Sequence, residues 1–158
     1  MPVVNASVFV GVSLDGFIAR SDGSLDFLPP GGGEPHGYDE FMATVDALVV
    51  GRKTFETVLS FDKWPYDEKP VFVLSSSPLA PGPPGAVVER MSGDPVHIVS
   101  QCAARGAGHI YVDGGMTIQR FLRAGLIQRL IITRVPLKHV ATRQYGSGLV
   151  QSEYVVAV

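Results

Sequence analysis

Ala47-Leu48-Val49-Val50-Gly51-Arg52-Lys53-Thr54 is four apolar residues, a glycine, two cations and a hydroxyl. It predicts a buried strand that turns at Gly51 into a helix running through Leu59. The form recurs downstream. Val71-Phe72-Val73-Leu74 runs into Ser75-Ser76-Ser77-Pro78, and His109-Ile110-Tyr111-Val112 runs into Asp113-Gly114-Gly115-Met116. The helix after that last turn should stop at Gly125, a residue suited to the left-handed position beyond a helix end. Between these two units lies another helix, with Asp94 as N-cap, Pro95 at N1, an inner stripe of Val96, Val99 and Ala103, and Gly106 as the stop.

Upstream, Val3 to Val12 is a β-rich run with apolar residues on both faces, as in a central strand. A Gly- and Pro-rich loop, Ser21 to Gly37, leads to a short helix whose Tyr38, Phe41, Met42 and Val45 share one face. Strands alternating with helices predict an α/β fold with a mostly parallel central sheet. Three β-like runs follow, Arg129 to Val135, Lys138 to Gln144 and Leu149 to Val156, with short polar breaks; they predict an antiparallel C-terminal edge. No repeat or composition break marks a second domain.

The composition agrees with one domain and narrows the functions. The chain has 158 residues, 46% apolar and 18% charged, which suits a globular core. A net charge of −2 argues against nucleic acid or an anionic membrane as partner. Cys102 is the one cysteine, so neither a disulfide framework nor a Cys-rich zinc site is expected; among apolar neighbours it reads as a core residue. His36, His97, His109 and His139 are scattered without ligand spacing, so no metal is expected. The first residues lack the pattern of a secretory signal, and the longest uncharged stretch, Pro70 to Val88, contains five prolines and is no membrane span. A cytoplasmic location is the expectation.

Ligands of open α/β sheets bind beyond the carboxyl ends of the strands. Here those ends carry Gly51-Arg52-Lys53-Thr54, Ser75-Ser76 and Gly114-Gly115-Met116-Thr117. Glycine permits close backbone approach, helix starts offer free N–H groups, and cations and hydroxyls complete a site for a phosphorylated nucleotide. Neither the Walker pattern nor G-x-G-x-x-G is present, and no G-x-S-x-G nucleophile elbow occurs. Gly146-Ser147-Gly148 reads as a hairpin turn, and Trp64-Pro65-Tyr66 as an aromatic anchor for a loop.

Val12-Ser13-Leu14-Asp15-Gly16-Phe17-Ile18-Ala19, Gly51-Arg52-Lys53-Thr54-Phe55-Glu56, Val73-Leu74-Ser75-Ser76 and Tyr111-Val112-Asp113-Gly114-Gly115, in this order, resemble the dihydrofolate reductase superfamily. The likeness is closer to the reductase domain of riboflavin biosynthesis and its stand-alone bacterial relatives, and it extends to about Pro136. The bifunctional riboflavin enzyme also has a zinc deaminase domain, for which this chain has neither room nor cysteines. The resemblance implies NADPH bound in extended form along the sheet edge. Arg52, Lys53 and Thr54 would meet the adenosine 2′-phosphate and pyrophosphate, with Leu74, Ser75 and Ser76 on the adenine side. Gly51 would shape that turn, and Gly114, Gly115, Met116 and Thr117 would hold the pyrophosphate. Val12, Ile18 and Ala19 would flank the nicotinamide, and Gly16 would let the loop bend over it.

The resemblance also implies a pocket carboxylate. Asp39 and Glu40, on the helix after the first loop, and Asp15 in that loop are the candidates, with Asp26 nearby; for Asp39 and Glu40 a solvated-surface role is the alternative. The loop Pro29-Pro30-Gly31-Gly32-Gly33 does not match the folate enzyme's Pro-Trp spacing, which turns the reading away from folate. Two functions stay open: an NADPH-dependent reductase acting on a C=N or C=O of a small heterocyclic or ribosyl-linked substrate, or a non-catalytic NADPH-binding module of the same fold. A homodimer is expected, from the resemblance and from the apolar C-terminal edge. The resemblance further implies a longer glycine-rich segment between Pro136 and His139. Here Pro136 and Leu137 alone join two strand-length runs, so either the segment has been lost or residues are missing between Pro136 and Leu137.

Overall fold

The computed structural model describes residues 3–28, 36–134 and 137–155. The chain forms two compact units, Met1–Val10 with Pro35–Ile132 and Gly11–Glu34 with Thr133–Val158.

The first unit is built on a six-stranded sheet in the order β4-β3-β2-β5-β1-β6. Its elements are β1 (Asn5–Val12), α1 (Tyr38–Ala43), β2 (Ala47–Gly51), α2 (Arg52–Leu59), β3 (Val71–Leu74), β4 (Val88–Met91), α3 (Pro95–Ala104), β5 (His109–Asp113), α4 (Gly115–Arg123) and β6 (Arg129–Arg134). The pairs β1–β5, β5–β2, β2–β3 and β3–β4 are parallel. The central strands β2, β3 and β5 are buried on both faces, which is why they read as unbroken Val, Ile and Leu runs. One face packs Phe72, Ile98, Cys102, Ile118 and Phe121; the other packs Phe41, Leu48, Phe55, Val58, Tyr66 and Tyr111.

The helix boundaries follow from local chemistry. Asp94 caps α3 by accepting from the His97 N–H at 2.9 Å, with Pro95 in the first turn. Gly106 at φ +84° and Gly125 at φ +68° take the left-handed position after α3 and α4, as the sequence predicts. Phe41 and Met42 are buried on α1, with Tyr38 half-buried; Val45, expected on the same helix face, is buried but lies beyond the helix end at Ala43. The predicted stripe of α3 needs correction. Val96 is exposed, and the buried positions are Ile98 and Cys102, flanked by Val99 and Ala103. Both stripes have helical spacing, and which one faces inward is set by the sheet beneath. Burial pushes the Cys102 thiol up to about 11, in keeping with a core residue. Trp64 stands edge-on to Tyr66 at 5.2 Å and Phe55 at 6.3 Å, the anchor its position suggested.

β4 is a strand the pattern did not reveal, because Val88-Glu89-Arg90-Met91 has the charged, short form of an edge strand. The C-terminal expectation is corrected in part. The third run's strand is Val150–Val155, and β6 is the edge strand next to β1. β7 (Lys138–Gln144) and β8 (Val150–Val155) form their own two-stranded antiparallel sheet. Gly146-Ser147-Gly148 is their hairpin turn, closed by Tyr145 N–H to Leu149 O at 2.9 Å. The Pro29–Gly33 loop and the junction at Val135 and Pro136 lie outside the described residues, so the expectation at Pro136-Leu137 does too. Among the described residues no helix is long and apolar enough to cross a membrane.

Candidate functional site

The parallel pairing of β2 with β5, Val50 opposite Asp113, brings two strand-to-helix turns side by side. Gly51 precedes α2 and Gly114 precedes α4, and neither helix start has a side-chain cap. Their first N–H groups therefore remain available to an anion. The turns interlock. A Cβ on Gly114 would stand 2.6 Å from Thr54 Oγ1 and 3.7 Å from the Gly51 nitrogen; one on Gly51 would stand 2.9 Å from Thr117 Oγ1. Gly114 lies at φ +96°, where only glycine is at ease. Thus Gly51, Thr54, Gly114 and Thr117 are brought together, Thr117 buried beneath, with Lys53 and Met116 exposed and Gly115 half-buried.

The end of β3 adjoins this cradle through its pairing with β2, Gly51 opposite Leu74. Leu74 packs into the core, Ser75 is half-buried and Ser76 exposed. Arg52 donates through Nε to Glu56 Oε1 at 2.8 Å and through Nη1 to Ser75 Oγ at 3.5 Å. The Ser75 hydroxyl in turn donates to Ser77 O at 2.8 Å and accepts from Ser77 N–H at 3.2 Å, which pins the loop.

The Asp-Gly-Gly run by itself gives Asp113 no role; the tertiary structure brings this acid forward. It ends β5, and its Oδ1 accepts from the Gly114 N–H at 2.8 Å. Burial raises its pKa above the ordinary carboxylate value, against the lowering effect of the Gly114 N–H and the Tyr111 hydroxyl. Burial, with the Asp113 charge as second cause, pushes the Tyr38 phenol up to about 12 and raises Tyr66 and Tyr111 as well. The signal in the sequence was position alone: of β2, β3 and β5, only β5 ends in an acid. Asp39 and Glu40 lie in the first turn of α1, both exposed.

In the second unit, Val12 is buried, Ile18 and Ala19 are half-buried, and Gly16 is at φ +88°. The Ser13 hydroxyl donates to Asp15 Oδ1 and accepts from the Phe17 N–H at 3.0 Å, so exposed Asp15 serves a local turn. Asp26 pairs with Arg20.

A shallow cavity of about 370 Å³ opens at the opposite, N-terminal edge of the sheet, beside Asp46, Phe72 and the Arg105–Glu89 ion pair. It is remote from the strand ends that carry the glycine turns. Among the described residues no group of three His, Cys, Asp or Glu could hold a metal.

A mostly parallel sheet flanked by helices, with glycine turns at neighbouring strand ends, defines a protein of dihydrofolate reductase-like fold. Residues 4–138 match the RibD C-terminal domain model, and the chain belongs to that family. It is 31% identical to the Bacillus subtilis protein YwjB over 141 residues, 82% of this chain and 75% of that one. A crystal structure of a Shewanella sp. PV-4 protein named for riboflavin biosynthesis is 36% identical, with TM-score 0.72 over 96% of this chain and 98% of that one. RibD of Acinetobacter baumannii shares the fold at 14% identity, with TM-score 0.57 over 98% of this chain and 58% of its own.

Proposed function

We propose that this protein is an NADPH-dependent reductase that passes a hydride to a C=N or C=O carbon of a small heterocyclic or ribosyl-linked substrate. Its family includes reductases of riboflavin biosynthesis, which favours a pyrimidine-like ring. The observation that carries the reading is the pair of interlocked turns. Gly51 and Gly114 have no room for a Cβ, and two uncapped helix starts lie next to each other. That arrangement fits a dinucleotide's pyrophosphate, which needs close backbone approach and several N–H donors at once.

Thr54, Gly115, Met116 and Thr117 would line the pyrophosphate, and Arg52, Lys53, Leu74, Ser75 and Ser76 the adenosine side. Val12, Gly16, Ile18 and Ala19 would flank the nicotinamide, a proposal that rests on the sequence resemblance alone. When bound, NADPH supplies the hydride. The chain's own share is to orient the two reactants, exclude water and hold a proton. Asp113 is the candidate for the last role by its place at the end of β5 beside the Gly114 turn, where burial raises its pKa from the ordinary carboxylate value. Asp15, Asp39 and Glu40, proposed for that role from the sequence, face solvent.

The test is NADPH oxidation, followed by its absorbance, with a panel of pterins, pyrimidines and simple carbonyls. Turnover that is lost in Asp113→Asn while NADPH still binds supports the reading. Tight NADPH binding with no acceptor in the panel would favour the non-catalytic module, and absence of NADPH binding would end both.

A further inference from the structure

β4 carries a cation that the cofactor site has not used. Arg90 pairs in register with Val73, and Met91 with Leu74. Leu74 stands opposite Gly51 on β2. Arg90 is therefore at the same sheet edge as the Gly51 turn. Side chains alternate along a strand, and Val88 packs on the face with Phe55 and Val58 of α2. Glu89 points to the other face, where Arg105 of α3 takes it at 2.8 Å. Arg90 is left on the α2 face with Arg52.

Both guanidinium groups reach the same residue. Arg90 Nη1 donates to Ser75 O at 3.4 Å, and Arg52 Nη1 donates to Ser75 Oγ at 3.5 Å. Both are long, weak contacts. Glu56 takes the Arg52 Nε, whereas Arg90 and Lys53 make no ion pair among the described residues. Arg52 and Arg90 thus converge on Ser75, and Glu56 pairs with Arg52 alone. Like charges brought together repel one another unless anions offset them. A carboxylate has two oxygens, enough for one guanidinium fork. A phosphomonoester has three terminal oxygens and a charge of about −1.5 to −2, enough for both guanidinium groups.

We infer that Arg90 is a second arginine of the 2′-phosphate site and, with Arg52, determines preference for the phosphorylated over the unphosphorylated adenosine ribose. This rests on the cofactor reading above, and the experiment separates the two. The full chain and its Arg90→Gln and Arg90→Lys variants are titrated calorimetrically with NADPH and with NADH, at low and moderate salt. Arg90→Gln should weaken NADPH about tenfold, the low end for a hydrogen bond to a charged group at an exposed site. NADH should stay within about twofold, and the salt dependence of NADPH binding should fall. Arg90→Lys keeps the charge and should recover part of the loss. Because Arg90 is exposed, both variants should melt with the parent. Losses equal for the two cofactors, or absent for both, overturn the role of Arg90 and leave the cofactor reading standing. A parent chain that binds neither cofactor overturns both.

Discussion

Replacing Gly114 with alanine tests the interlocked turns directly. Gly114 lies at φ +96°, ψ 130°, a region that residues with a Cβ enter at a cost of about 1–3 kcal/mol. The new Cβ would stand 2.6 Å from Thr54 Oγ1. Thr54 must rotate or α2 must shift, and overpacking of this kind costs about 1–3 kcal/mol. Together they put Gly114→Ala at roughly 2–6 kcal/mol, a fall in Tm of about 4–24 °C for a chain of this length. Thr54→Ala removes the nearby oxygen. In the double variant the contact part should return and the backbone part remain, a coupling of about 1–2 kcal/mol. Gly85→Ala is the control, because Gly85 has φ +85° with nothing within 4 Å of its added Cβ. It should lose only the backbone part, about 1–2 kcal/mol. Urea unfolding by circular dichroism, compared at constant m-value, measures all four variants. Equal losses for Gly114→Ala and Gly85→Ala, with no coupling to Thr54, would refute the close approach of the two turns and the cradle built on it.

Arg52→Ala should weaken NADPH by about 1.5–3 kcal/mol and spare NADH; titrations losing the two cofactors equally would remove Arg52 from the 2′-phosphate. Asp46 Oδ2 accepts the Gly108 and His109 N–H groups at 2.9 and 2.8 Å, and these bonds hold its pKa below the ordinary value. A depressed carboxyl stabilises the fold above the unfolded value of about 3.9, and the contribution disappears as pH falls through the lower folded value. The gap in urea midpoint between the parent and Asp46→Ala should therefore be full at pH ~7 and narrow below pH ~4; a gap unchanged by pH would clear Asp46. We propose a homodimer through the exposed β6 edge, where Leu130 and Ile132 are each about half exposed. Light scattering at micromolar concentration should give twice 16.9 kDa, Leu130→Lys should shift it to the monomer, and a parent already monomeric sinks the proposal.

The sequence by itself determined the local elements and their ends. Apolar runs into Gly51, Ser75 and Gly114 announced strands feeding turns, and Asp94, Pro95, Gly106 and Gly125 marked the ends of α3 and α4. These are short-range effects: a cap bonds its own helix, and a glycine's φ is its own. Together with the Ser-Leu-Asp-Gly and Asp-Gly-Gly runs they sufficed for the fold class and for most of the proposed cofactor edge. Tertiary structure decided what depends on partners far along the chain. Which stripe of α3 faces inward, Ile98 and Cys102 in place of Val96, is set by the sheet under it. The β7–β8 ribbon pairs with itself and not with the main sheet, a choice among strands that share the same pattern. Only the β2–β5 pairing sets Thr54 against Gly114 and Thr117 against Gly51. The raised pKa of Asp113 is a property of its surroundings, not of its neighbours in sequence. Arg90 reaches Ser75, 15 residues away, only because two parallel strands hold them in register, and no periodicity in the chain records that meeting.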